Sequence, residues 1–183
     1  SGAMLLPLLV IALLLIIFYT PVILKTPWPE WSPGLGLGIL PVLGAYFVHT
    51  GHYSLNALVA SMPSFFLVHN LLLLNEFPDA EADVTVGRRT LPVIAGKRKA
   101  AWFFSLVTVA VYVWLAGAVY FRFMPPCTLV AFLTIPLAIK VIRGSFSYDD
   151  HEAFLKAMGQ NVLLILVIQA LIAAGYIVAG FLG

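Results

Sequence analysis

Six stretches of the chain are each apolar for about the length that crosses a bilayer. They cover residues 5–24, roughly 34–50, 55–74, 101–121, roughly 127–142 and 162–182. A spanning helix needs about 20 mostly apolar residues. Lipid offers no hydrogen bonds to a free backbone, so an open-ended span must be helical. Strands of a membrane barrel would alternate in polarity, whereas these runs are apolar all round. The expected fold is therefore all-α: a polytopic membrane bundle of about six transmembrane helices, forming a single domain over residues 1–183. Composition agrees. The chain is 62% hydrophobic and 10% charged, against about half and a quarter in soluble domains, so its outer face needs lipid.

Ser1 to Met4 reads as an appended tail and is left out of the fold. The apolar run behind it has no basic flank and is too long for a signal-peptide core, so it reads as a membrane helix. Cys127 is the one cysteine, which excludes an internal disulfide and a cysteine-built metal site. Prolines 7, 41, 63 and 136 fall inside the runs, where neighbours can satisfy the freed carbonyls. Gly34 and Gly38 form a small-xxx-small pair suited to close helix packing.

The basic residues orient the bundle. With segment 75–100 on the cytoplasmic side, helix alternation puts Lys25, Lys140, Arg143 and Lys156 there as well. Of the ten Lys and Arg residues only Arg122 then falls outside. The expected location is the plasma membrane of a prokaryote, with both chain ends outside and no nucleic-acid partner.

Segment 75–100 also concentrates the charge. Glu76, Asp79, Glu81 and Asp83 are four of the chain's eight acids, and Arg88, Arg89, Lys97, Arg98 and Lys99 follow them. Pro78 suits the first turn of a short helix, with acids complementing its dipole. On that helix Asp79 and Asp83 share a face, and Asn75 joins it if the preceding helix runs on. Mg²⁺ takes one or two protein carboxylates, keeps waters and fills its shell with substrate phosphate oxygens. Gly87 permits a tight turn, after which Arg88 and Arg89 can fork onto phosphate. An acidic helix start is commonly only a solvated cap, and a basic run beside a span is commonly a topology signal. Here both signs gather in one loop while most other connections are nearly bare. That favours a metal–diphosphate site.

At these residues the chain resembles the UbiA-type membrane prenyltransferases. Asn75-x-x-x-Asp79-x-x-x-Asp83 followed by Gly87-Arg88-Arg89-Thr90-Leu91 is similar to the second aspartate motif of that family and the stretch behind it. Gly44-Ala45-Tyr46-Phe47-Val48-His49-Thr50-Gly51 resembles a helix of its 1,4-dihydroxy-2-naphthoate branch. The resemblance implies a nine-helix fold, with Mg²⁺-assisted transfer of a prenyl group from a polyprenyl diphosphate to an aromatic quinone precursor. Asp79 and Asp83 would be the metal ligands, and Asp79, Asp83 and Arg88 the catalytic set. Asn75, Arg88, Arg89 and Lys97 would hold the diphosphate. No first aspartate motif is present, and the six spans match the family's fourth to ninth helices. The chain is thus expected to be a C-terminal portion, with the missing N-terminal helices as partners in cis or in trans. A non-catalytic or split homologue acting as a scaffold is the alternative. A different phospholipid-type transferase is disfavoured, because the CDP-alcohol phosphotransferase pattern is absent.

Several other polar residues have ordinary readings. Asp149 or Asp150 caps a short surface helix whose Phe154, Leu155 and Met158 lie on the membrane. His69 and Asn70, inside the third span, are equally candidates for function and for local hydrogen bonding. Gln169 is expected to bond across helices. His49 and His52 read as interface residues, as do Trp28, Trp31 and Trp102.

Overall fold

A computed structural model describes residues 2–26 and 28–182. Six helices are long and apolar enough to cross a membrane: α1 (Gly2–Tyr19), α2 (Trp31–Thr50), α3 (Leu55–Thr85), α4 (Lys97–Tyr120), α5 (Pro126–Ser145) and α6 (His151–Leu182). A short helix, Leu91–Ala95, lies between α3 and α4, and no strand occurs among the described residues. The protein is an integral membrane helix bundle.

α3 is the centre of the bundle. It packs against α2, α4 and α6, while α6 packs along the first half of α5. Leu73, Phe77, Phe104, Leu115, Leu164 and Ile168 are almost fully buried between these helices. Leu106, Val113, Leu133 and Leu166 are exposed on the outside, as expected for side chains whose solvent is lipid. α1 is the exception, since its helical turns Leu6–Tyr19 bury no residue at all.

The prolines decide where helices depart from α geometry. Before Pro41 the chain forms a π-helical segment, Gly34–Ile39, and before Pro136 a 3₁₀ segment, Pro126–Thr134. A proline supplies no N–H and crowds the preceding turn, so the ladder there is rewound. Pro63 acts differently, because α3 continues through it without a break. It leaves the carbonyl of Val59 without its helical donor, and the Trp114 indole N–H donates to that oxygen at 2.9 Å.

Glycines set the closest contacts. A Cβ on Gly38 would lie 2.6 Å from the Phe65 backbone nitrogen, and one on Gly34 3.0 Å from the Phe65 carbonyl oxygen. The Gly34/Gly38 pair therefore seats α2 directly on the backbone of α3. Gln169 donates to the Ser64 hydroxyl, the interhelical bond expected of it.

The polar ends of three helices extend beyond the apolar runs. α3 continues past residue 74 through Pro78 to Thr85, so no separate short helix begins at Pro78. α4 starts at Lys97 rather than 101, and α6 at His151 rather than 162. α1 is instead shorter than its apolar run and stops at Tyr19, before Pro21. Asp150 does act as a cap, accepting from the Ala153 amide at 3.1 Å. The helix it caps is α6 itself and not a surface helix. Phe154 is buried with its ring 5.3 Å from Phe77.

Candidate functional site

The site is built on the last three turns of α3. Because the helix is unbroken, Asn75, Asp79 and Asp83 lie at four-residue spacing along one flank. Asn75 and Asp79 are exposed, whereas Asp83 is 3% exposed.

The helix then ends in a way that places Arg88. Gly87 takes φ +72, the left-handed conformation that suits glycine. This lets the Arg88 amide donate back to the Asp83 carbonyl at 3.0 Å and the Gly87 amide to the Val84 carbonyl at 3.2 Å. The pair of bonds is a Schellman motif. It returns the chain over the final turn, so that Arg88 Nη1 donates to Asp83 Oδ1 at 3.0 Å. The Thr90 hydroxyl, itself buried, reaches Asp83 Oδ2 at 3.5 Å. Asp83 thus holds Arg88 in place, and the Arg88 side chain remains 44% exposed at the end of the bundle.

Thr90 precedes the short helix Leu91–Ala95, which packs against both α3 and α4. That contact brings the first turn of α4, with Lys97, Arg98 and Lys99, to the same end as Asp79. Lys97 is half-buried, and Arg89, Arg98 and Lys99 are exposed. Three cations on the first turn of a helix oppose its dipole. The arrangement is favourable only where negative charge is also present, and helix N-termini attract anions.

Every residue expected at the site therefore lies at one end of the bundle. Asp79 offers an exposed carboxylate, while Asp83 already has partners on both oxygens. Asn75 makes no hydrogen bond to either among the described residues. No group of three or more His, Cys, Asp or Glu side chains converges as a metal site among those residues. Two carboxylates one turn apart still fit what Mg²⁺ takes from a protein when phosphate and water fill the other positions.

A model of the UbiA prenyltransferase family matches residues 1–168. The chain belongs to the UbiA prenyltransferase family. It is also 25% identical over 156 residues to the 1,4-dihydroxy-2-naphthoate octaprenyltransferase of Bacillus subtilis (strain 168), an alignment covering 85% of this chain and 50% of that protein. The chain spans about half the length of this curated relative. No solved structure matches it.

Against the UbiA assignment, two groups stand out that the sequence reading does not single out. Thr90 belongs to the family-like stretch, but its bond to Asp83 depends on the Gly87 turn. Glu30, on the connection from α1 to α2, is 2% exposed and has no hydrogen-bond partner on either carboxyl oxygen among the described residues. The signal was available: Glu30 is the one acid before residue 76, and it lies between Trp28 and Trp31. His69 and Asn70 part company. Asn70 donates to the Phe104 carbonyl and the Thr108 hydroxyl of α4, each at 2.9 Å, which makes it a packing residue. His69 is buried with Nδ1 unpartnered.

Proposed function

We propose that this protein takes part in Mg²⁺-dependent transfer of a prenyl group from a polyprenyl diphosphate to an aromatic quinone precursor within the membrane. Family membership supports the reaction class. The observation that carries the reading is the juxtaposition of Asp79 and Asp83 with an Arg88 fixed by the Gly87 turn. The name of the Bacillus subtilis relative supports a dihydroxynaphthoate as the acceptor.

In this reading Asp79 is the principal metal-side carboxylate, and Asp83 supports it while orienting Arg88. Bound Mg²⁺ would supply charge neutralisation of the leaving diphosphate. Arg88 and Arg89 fork onto diphosphate oxygens, and Lys97, Arg98 and Lys99 add positive charge where negative charge develops. Asn75 donates from its amide on the same flank. The apolar helix faces exclude water from the allylic carbon as it becomes cationic. The site faces the cytoplasm on the distribution of basic residues.

The test is product formation from farnesyl diphosphate and 1,4-dihydroxy-2-naphthoate by protein in lipid nanodiscs. Prenylated naphthoate should appear only with Mg²⁺ and be lost in Asp79→Ala. Turnover of a CDP-linked lipid in its place would overturn the reading, as would product that survives both chelator and Asp79→Ala.

A further inference from the structure

His69, Glu76 and Asp83 are spaced seven residues apart on α3, so they stack on one face at intervals of about 10 Å. Asp83 is occupied by Arg88 and Thr90. The upper two are not so provided for. Glu30 folds in from the α1–α2 connection toward Glu76, so that the two carboxyl groups face each other. Both oxygens of Glu30, Oε2 of Glu76 and Nδ1 of His69 are buried without a hydrogen-bond partner among the described residues. Glu30 is 2% and His69 7% exposed. Leaving a buried polar group unsatisfied costs about 1–3 kcal/mol, and two carboxyl groups this close do not both carry charge without something between them.

The surroundings favour a flat, apolar body. His69 meets Phe103 with ring centroids 5.7 Å apart and Phe65 at 6.4 Å. Trp28 stacks on Phe103 at 6.1 Å with its ring nearly parallel. Trp28 does so with φ +62, a conformation that is strained for a bulky side chain. A cleft of about 440 Å³ opens between α1, α2 and α3, lined by residues that include Leu15, Tyr19, Ser32, Gly36 and Leu72. Leu72 is one turn from Glu76, and Ser32 is two residues from Glu30.

We propose that Glu30, backed by Glu76 and His69, is the subsite that receives the hydroxyl group of an aromatic acceptor, with its ring held against Trp28 and Phe103. The inference rests on the prenyl-transfer reading and adds to it where the second substrate sits. A phenolic O–H donates to a Glu30 oxygen, neither of which has a partner among the described residues, and the aromatic side chains select a flat ring over an aliphatic alcohol. The subsite lies about two helical turns from Asp83, which separates acceptor from diphosphate along α3.

The probes are 1,4-dihydroxynaphthalene and 1,4-dimethoxynaphthalene, which differ in their O–H donors. Binding is followed anaerobically by tryptophan fluorescence on protein in nanodiscs, with farnesyl diphosphate binding measured separately. The wild-type protein should prefer the diol roughly tenfold, the worth of one charge-assisted hydrogen bond. Glu30→Leu should abolish that preference, leave farnesyl diphosphate affinity within about twofold, and leave thermal stability unchanged or raised, since an unpartnered buried carboxyl is removed. Glu30→Gln should reduce the preference with the fold intact. No preference in the wild type, a preference that survives Glu30→Leu and Glu30→Gln, or a loss of stability together with both ligands would each overturn the proposal. Failure of farnesyl diphosphate to bind while the diol preference holds would instead count against the donor site alone.

Discussion

At the scale of single residues, the end of α3 divides its two aspartates between different tasks. Asp83 is buried and bonded on both oxygens, and Asp79 is exposed. Their removal should therefore separate. Asp79→Ala should leave thermal unfolding in nanodiscs unchanged and abolish prenyl transfer. Arg88→Ala should lower stability by about 1–3 kcal/mol, because the buried Asp83 carboxylate loses its charged partner. Equal effects of the two on stability would contradict the division. Gly87→Val should cost about 1–2 kcal/mol from the left-handed backbone alone. It should also reduce diphosphate affinity, since the same turn positions Arg88.

At the scale of elements, α3 continues unbroken through Pro63, and the carbonyl the proline leaves free is met by a side chain 51 positions away. The Trp114 indole satisfies the Val59 carbonyl that Pro63 leaves free. Trp114→Phe should then destabilise the bundle by about 1–3 kcal/mol. In a Pro63→Ala background, where the helix supplies its own donor, the same change should cost clearly less. A double-mutant cycle on thermal unfolding measures that coupling, and additivity would show that the indole acts through packing alone. The α2–α3 contact is similarly specific. Gly38→Ala puts a methyl group into the Phe65 backbone, whereas Gly117 has open space at its Cβ position. Gly38→Ala should therefore shift α2 and lower stability where Gly117→Ala does not.

At the scale of the whole molecule, the six spans are legible because bilayer thickness imposes length and lipid imposes apolarity on each run. The helix ends are less so. Residues 75–85, 97–100 and 151–161 are polar enough to read as loops, yet they continue helices already nucleated in the membrane, where adding a turn is easy. The Asp79/Asp83/Arg88 constellation is legible because it is local in sequence. What spacing alone does not give is that Asp83 is committed to Arg88, since that follows from the handedness of the turn at Gly87. The Glu30–Glu76 contact is not legible, because the partners are 46 residues apart and a loop between tryptophans reads as interface. Helix alternation makes a further prediction. In a Cys127→Ser background, Lys99→Cys and Arg122→Cys should label with an impermeant maleimide from opposite faces of sealed vesicles. Labelling of both from one face would break the six-span topology.

The central claim is that the charged end of α3 binds a prenyl diphosphate through Mg²⁺. Titration calorimetry with farnesyl diphosphate on protein in nanodiscs tests it directly. The account predicts binding that appears with Mg²⁺, vanishes with chelator and is lost in Asp79→Ala. Binding of equal strength in the presence of chelator and in Asp79→Ala would contradict it.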